Sequence, residues 1–231
     1  LGFGYGNLKD NKMETLADKG NGVYYYIDSE LEARKVFVEE LGGTLVTVAK
    51  DVKLQIEFNP LTVKGYRLIG YENRLLNYED FDDDTKDAGD MGAGHEVIAF
   101  YEIIPASSDE VVDTEEFEQP EELKYDGTNH PDELMTLSLR YKDPESSTSQ
   151  LIEHITYVTD KTDTPSEAFR FASSVVEFSL VLRDSQFQGG ASFTSVIDRA
   201  SNALGTDEQG YRAQFIELVQ AAMQLYSDLE D

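Results

Sequence analysis

Apolar residues change their spacing twice along this chain, and these two changes constrain its fold. Residues 1–43 and the residues beyond about 164 carry apolar side chains three and four positions apart, the spacing of a helix with one buried face. Between them the spacing is two, which is typical of a strand with one face in a core. The alternation is clearest at Val52, Leu54, Ile56 and Phe58. The sequence therefore predicts an α+β fold with a strand-rich centre.

Residues 1–43 have the pattern of an α/β segment. A short strand at the start is followed by a helical pattern over 11–19, a Tyr-rich strand at 23–27, and a second helix capped by Asp28 or Ser29. A core strand at the start has no neighbours of its own. We therefore expect these residues to be the last β-α-β-α segment of an open α/β sheet that begins upstream. The first strand, with its edge unpaired, is therefore expected to lie across another face, to pair with a second copy in a homo-oligomer, or to be disordered.

The centre of the chain, residues 44–160, is predicted to be an antiparallel β-sandwich-like module. Besides the strand that ends at Phe58, alternating and β-branched runs predict four more strands. These strands are expected at 63–71, 95–104, 134–141 and 152–159. The connections between them are long, irregular and acidic.

The last part of the chain, residues 161–231, is predicted to form a helical C-terminal segment. The first of its three helices would be capped by Thr164, just before a proline. Either Ser192 or Thr194 is expected to open the second helix, and Asp207 the third. Three amphipathic helices can bury their apolar faces against one another.

The chain is strongly acidic, with 46 Asp and Glu against 19 Lys and Arg and a formal net charge of −27. Such a field repels nucleic acid and attracts divalent cations and basic proteins, although solubility alone also explains it. Two loops carry about half of the charge: residues 79–90 hold seven acids and one Lys, and residues 109–122 hold eight acids and no base. No run of 18 apolar residues occurs, so no membrane span is expected.

The 79–90 loop is the candidate metal site, because Ca²⁺ takes six to eight oxygen ligands from carboxylates and carbonyls. Its candidate ligands are Asp82, Asp84, Asp87 and Asp90. The spacing is not that of an EF-hand, so a solvated loop, or a loop ordered by Asp–backbone hydrogen bonds, stays open as an alternative. The residues predicted to order the loop or to serve another function are Arg74, Asp84, Asp87 and His95.

No complete catalytic set is present, so no catalytic residue is predicted, and no cofactor apart from that Ca²⁺. The absence of Cys excludes thiol nucleophiles and thiolate zinc sites, the three His residues are far apart in sequence, and no Gly-x-Ser-x-Gly elbow occurs. We therefore expect a non-catalytic binding or scaffold module. The alternatives are a Ca²⁺-stabilised structural domain and a metal-assisted hydrolase that uses Asp84, Asp87 and His95.

The chain resembles a bacterial protein family along nearly its whole length. Blocks within residues 16–35 resemble the final β-α-β-α segment of a von Willebrand factor A domain. Blocks within 49–95 and 169–185 are similar to the uncharacterised module that follows the A domain in YfbK-type bacterial proteins. The longest of these blocks are Tyr66-Arg67-Leu68-Ile69-Gly70-Tyr71-Glu72-Asn73-Arg74 and Asp83-Asp84-Thr85-Lys86-Asp87-Ala88-Gly89.

The resemblance implies properties that no residue of the chain shows by itself. Residues 1–43 would belong to the A domain, which would then be the partner of the module within the same protein. The Asp-x-Ser-x-Ser ligands of an A-domain metal site belong to an early strand, so this chain is expected to lack that metal. Family members commonly carry an export or lipoprotein signal, which implies the cell envelope. We also expect the module to bind a second protein, whose identity neither the sequence nor the resemblance indicates.

Overall fold

The structure is a computed structural model that describes residues 1–3, 9–20, 22–71, 75–120, 124–126 and 129–230. It contains both helices and strands, which confirms the mixed α+β class. The chain divides into two compact units. The first unit contains most of the strands, and the second contains residues 160–231 with two short pieces, 68–70 and 100–102. None of the described helices is long and apolar enough to cross a membrane.

The first elements form a small β-α-β arrangement. Strand β1 (Gly2–Phe3) and strand β2 (Tyr26–Ile27) pair in parallel, and helix α1 (Asp10–Lys19) lies between them in sequence. Ser29 caps the next helix, because its Oγ accepts a hydrogen bond from the amide of Glu32. That helical region consists of α2 (Glu30–Arg34), a π-helical turn (Lys35–Glu39) and α3 (Leu41–Leu45).

Six further strands follow along the chain. They are β3 (Thr47–Phe58), β4 (Val63–Ile69), β5 (Gly89–Gly92), β6 (Phe100–Pro105), β7 (Glu133–Lys142) and β8 (Ser149–Tyr157). Strands β5, β3, β7 and β8 form a four-stranded antiparallel sheet in that order, and β4 pairs with β6 in a separate two-stranded sheet. Strand β5 was not predicted, and the strand expected at 95–104 begins only at Phe100.

The four-stranded sheet has one polar and one apolar face, and the polar face is buried at Lys53, where exposure to solvent would be usual. Paired residues share a face, so the apolar face carries the pairs Leu54–Leu139, Ile56–Leu137 and Phe58–Met135. The polar face carries the pairs Lys53–Arg140, Gln55–Ser138 and Glu57–Thr136. On the polar face Lys53 is 4% exposed, whereas Leu54 on the apolar face is 50% exposed. The polar face is therefore covered by other parts of the chain, and these include the acidic loop.

The second unit is a three-helix arrangement with an aromatic centre. Its helices are α4 (Glu167–Leu182), α5 (Phe193–Ser201) and α6 (Tyr211–Glu230). Phe178, Val196 and Val219 are buried at its core, and Phe193 and Phe215 pack against them. Each helix contributes an apolar face to this centre.

The helix caps agree with the sequence at two of three places. Ser192 caps α5 with a capping box, and the Asp207 carboxylate accepts hydrogen bonds from the amides of Arg212 and Ala213 at the start of α6. The prediction for α4 was wrong by two residues. Ser166, not Thr164, is the cap, because its Oγ accepts the amide of Phe169 at 3.1 Å.

Candidate functional site

The acidic segment, defined here as residues 78–90, is fixed to the polar face of the sheet by Lys53. The Nζ of this lysine donates hydrogen bonds to the main-chain oxygens of Asp80 at 3.0 Å and Asp83 at 2.6 Å. Lys53 is almost fully buried, and a buried ammonium is tolerated only when its hydrogens have acceptors. The segment therefore supplies the acceptors that let a lysine lie inside the fold.

Strand β7 adds two more cations to the contact. The guanidinium of Arg140 binds the carboxylate of Asp82 and also lies over the ring of Phe81, 5.6 Å from its centroid. The Nζ of Lys142 donates to the main-chain oxygen of Asp84 at 2.8 Å. Three cations from two neighbouring strands thus face the most acidic part of the chain.

Asp51 holds the end of the acidic segment against the sheet. Its carboxylate accepts hydrogen bonds from Lys142 Nζ at 2.6 Å and from the amide of Ala88 at 3.1 Å. Its own amide donates to Asp90 Oδ1 at 3.3 Å. Asp51 has φ +48°, a left-handed conformation that Asp tolerates better than most residues, and it lies where the pairing of β3 with β7 shifts register. This irregular point of β3 turns the Asp51 carboxylate towards the segment.

Three carboxyl groups of this site, those of Asp51, Asp83 and Asp84, have pKa values below the usual one for Asp. Burial by itself raises the pKa of Asp51, but the hydrogen bonds from Lys142 and Ala88 outweigh it, so this pKa lies below its usual value. Hydrogen bonds from Ser149 lower the pKa of Asp84, and those from Thr85 lower the pKa of Asp83. The hydrogen bond to Asp51 raises the pKa of Lys142. The charged forms of these groups are the ones that the fold stabilises.

These directions predict a pH dependence that an Asp51→Asn variant reveals. A lowered pKa contributes stability above the unfolded-state value near 4, and this contribution is lost as the pH falls through the lower folded value. The raised pKa of Lys142 contributes below about 10.4 and is lost only at higher pH. We expect the difference in unfolding free energy between wild type and variant to be constant between pH 6 and 9 and to shrink below about pH 4.

Urea unfolding followed by far-UV circular dichroism at each pH measures this difference. The comparison with the variant removes the general effect of the −27 net charge, which both proteins share to within one charge. Asn has nearly the same shape as Asp and also tolerates a positive φ. The substitution therefore removes the charge without adding backbone strain. A difference that stays constant down to pH 2 would contradict a role for the Asp51 charge.

The four predicted metal ligands lie in different surroundings. The side chain of Asp82 is 80% exposed and pairs with Arg140, while Asp84 Oδ2 accepts the amide of Ser149 at 3.4 Å. Asp87 is exposed, and Asp90 accepts the amide of Asp51. Across the described ranges, no group of three or more His, Asp or Glu side chains could hold a metal ion. The geometry favours the loop-ordering alternative for Asp84.

The other predicted site residues are less informative. Arg74 lies outside the described residues. His95 is exposed in a turn after β5, with its amide donating to the main-chain oxygen of Gly92 at 3.1 Å. Asp84 and Asp87 precede β5 whereas His95 follows it, so the set named for a metal-assisted hydrolase is separated by a strand.

The second acidic loop, residues 109–122, is also held by cations. Lys64 Nζ donates to the main-chain oxygens of Ser108 and Glu110, and the guanidinium of Arg67 lies 5.0 Å from the ring centroid of Phe117. Tyr66 and Glu118 exchange backbone hydrogen bonds of 2.9 Å in both directions. Side chains and backbone of 114–119 line an open concavity of about 490 Å³ beside Tyr66.

A buried polar network, which no sequence pattern predicts, lies under the polar face. The hydroxyl of Tyr125, a fully buried residue, lies 3.0 Å from Glu133 Oε2 and 2.6 Å from Thr136 Oγ1. Glu133 also pairs with His130 Nδ1 at 2.8 Å, and burial raises the pKa of Tyr125 to about 12. Lys124 donates to Thr136 at 2.8 Å.

The cations that hold the acidic segment were missed because they come from strands. Lys53, Arg140 and Lys142 alternate with apolar residues, which is the usual pattern of a solvent-exposed strand face. The only available signal was the high local density of acids in a connection of the same chain. Such a dense run of acids is stabilised by nearby cations, but the sequence does not indicate which Lys or Arg residues supply them.

Taken with these sites, comparison with known proteins defines the class to which the chain belongs. Residues 43–225 match the family described as "Uncharacterized protein YfbK, C-terminal", so the chain belongs to this YfbK C-terminal family. It is similar to "Uncharacterized protein YfbK" of Escherichia coli (strain K12), with 41% identity over 223 residues. The match covers 96% of this chain but 38% of that protein, so the chain spans little more than a third of its relative. No solved structure matches significantly.

Proposed function

We propose that the chain is a non-catalytic interaction module, a scaffold that binds a protein partner. This proposal rests on the observation that the carboxylates most suited to catalysis or metal binding already pair with groups of the same chain. The Asp51 carboxylate pairs with Lys142 and the amide of Ala88, and that of Asp82 pairs with Arg140. Asp84 accepts the amide of Ser149 through one of its two carboxylate oxygens. A carboxylate whose oxygens are taken by cations of its own chain has little capacity left for a metal or for proton transfer.

The finer parts of the proposal follow from the family resemblance. Residues 1–43 would be the end of a von Willebrand A domain, and the parallel pairing of β1 with β2 around α1 supports this. The strand-rich part would form the β-sandwich-like module, with the helical unit as its C-terminal segment. The location would be the bacterial cell envelope, with the A domain of the same protein as the intramolecular partner. A homo-oligomer through β1 remains part of this proposal.

A calcium titration tests the proposed function. Because the acidic segment is held by Lys53 and β7, we expect the melting temperature of the 231-residue chain to be the same in EDTA and in millimolar CaCl₂. A ligand that binds only the folded state at 100 times its Kd would stabilise it by about 2.7 kcal/mol. The measurement is differential scanning calorimetry.

A matched variant makes the titration decisive. In Lys53→Met the segment loses its buried donor, so the melting temperature should fall, and added CaCl₂ should still have no effect. A rise with CaCl₂ in the wild type that is lost in Asp84→Asn would support the Ca²⁺-stabilised domain instead. Hydrolysis of a defined ester or phosphoester that is abolished by Asp84→Asn would support the hydrolase.

A further inference from the structure

Strand β8 forms one edge of the four-stranded sheet and is open to solvent. Residues 150–154 at its centre are all exposed, and no further strand among the described residues pairs with its outer side. The opposite edge is different, because β5 has only four residues and pairs irregularly with β3. Proteins usually protect long edges with Pro, Lys or bulges. Within Ser149–Tyr157 the sequence has neither Pro nor Lys, so this edge is unusually available.

The register shows which backbone groups are free at this edge. The amide of Asn59 donates to the main-chain oxygen of Leu134, so the even-numbered residues of β7 turn their backbone groups towards β3. The odd-numbered residues then face β8, where Leu137 pairs with His154. Backbone groups of alternate β8 residues therefore point outwards. They belong to Leu151, Glu153 and Ile155.

The charge around the edge determines what can dock on it. Residues 143–160 contain four acids and neither Lys nor Arg, and the whole chain carries a net charge of −27. A second copy would bring an equally acidic edge, and symmetric pairing centred on Glu153 would set two glutamates opposite each other. Like charges directly opposite in a sheet are destabilising, whereas opposite charges stabilise the pair. The edge thus favours a basic strand over a copy of itself.

From this geometry we propose that β8 binds an extended, basic segment of a partner protein as a fifth strand of the sheet. The outward-facing residues Leu151, Glu153 and Ile155 share one face, so the segment would place Lys or Arg opposite Glu153 and apolar residues two positions to either side. On the other face Ile152, which is 50% exposed, would contact an apolar residue or the methyl group of a Thr. This inference rests on the proposed function and names the chemistry of its partner.

A synthetic peptide tests the proposal with the whole 231-residue chain. The probe is an acetylated and amidated nine-residue peptide with a central Lys, Val two residues to either side and Thr elsewhere. The control peptide has Glu in place of Lys. Isothermal titration calorimetry should show binding of the Lys peptide, weakened by added salt, and binding of the Glu peptide about tenfold weaker or undetectable.

Charge reversal at one residue gives the sharpest outcome. In Glu153→Lys the preference should invert, so that the Glu peptide binds and the Lys peptide loses about tenfold in affinity. Glu116→Lys makes the same charge change at an exposed residue of the other acidic loop and should leave the preference unchanged. Equal effects of the two variants would mean that only the overall charge attracts the peptide, which would overturn the assignment of the edge.

A second variant removes one outward backbone donor of the β8 edge and leaves the charge of the chain unchanged. Leu151→Pro lacks the outward amide but leaves the ladder to β7 intact, because that residue faces away from β7. We expect it to abolish binding of the Lys peptide while the circular dichroism spectrum is unchanged. Failure of the wild-type chain to bind the Lys peptide would refute this inference. So would a concentration-dependent dimer in analytical ultracentrifugation that Leu151→Pro dissolves. The proposed function, by contrast, fails only through the calcium and hydrolysis results.

Discussion

Phe178→Ala should lower the unfolding free energy of the helical unit by about 3–5 kcal/mol, the range for removing a large aromatic side chain from a core. Phe178 is 7% exposed and packs edge-on against Phe215, with ring centroids 5.6 Å apart and an angle of 84°. Phe193 lies 6.2 Å away on another side. Because three aromatic rings meet here, the remaining side chains cannot fill the space that the ring leaves.

The loss should be visible in thermal unfolding followed at 222 nm, where helices dominate the signal. Leu225→Ala is the matched control, since Leu225 lies on α6 of the same unit but is 64% exposed. It should change the free energy by no more than about 0.5 kcal/mol. If the two variants melt alike, Phe178 is not the centre of this core.

Asn59→Ala should lower the unfolding free energy by about 2–4 kcal/mol, since it removes three hydrogen bonds that a fully buried side chain makes to the main chain. Asn59 is fully buried, and its Nδ2 donates to the main-chain oxygens of His130 and Glu133, both at 2.8 Å. Its Oδ1 accepts the amide of Leu61 at 3.0 Å. One amide therefore ties the end of β3 to the segment that carries the Tyr125 network.

Chemical denaturation of two further variants isolates the contribution of the amide donors. Asn59→Asp keeps the acceptor for Leu61 but sets a carboxylate against two carbonyl oxygens, so it should be at least as unstable as Asn59→Ala. Asn129→Ala removes an exposed amide that donates to Asp126, and it should have almost no effect. A stable Asn59→Asp variant would show that the donors do not hold this segment.

The helical unit could be predicted well because its signals are local. Apolar residues at helical spacing placed α4, α5 and α6. Asp207 was predicted as the cap of α6, and Ser192 was one of the two caps considered for α5. The error at α4 has a simple cause. Thr164 and Ser166 are both good caps on either side of a proline, and only the hydrogen bond to Phe169 decides between them.

The sheet was harder to predict because its determinants are distant in sequence. Strand β5 has two glycines in four residues and little intrinsic preference for a strand, so it exists through its pairing with β3. The alternation around Lys53 predicted a half-buried strand but not that the polar half would be covered. Arg140 is 58 residues from Asp82, a separation that no local pattern can bridge. The sequence showed that the acids are concentrated, and the fold shows what neutralises them.

Helix α3 and strand β5 meet backbone to backbone, without side chains between them. A Cβ on Gly92 would lie 1.7 Å from the main-chain oxygen of Gly43, and one on Gly43 would lie 2.7 Å from that of Ala93. The amide of Ala93 also donates to Val46 at 2.8 Å. Because no side chains separate α3 from β5, the two elements cannot shift against each other as elements packed through side chains can. A force applied to the N-terminal helices would therefore be transmitted stiffly into β5, and from its other end into the acidic segment.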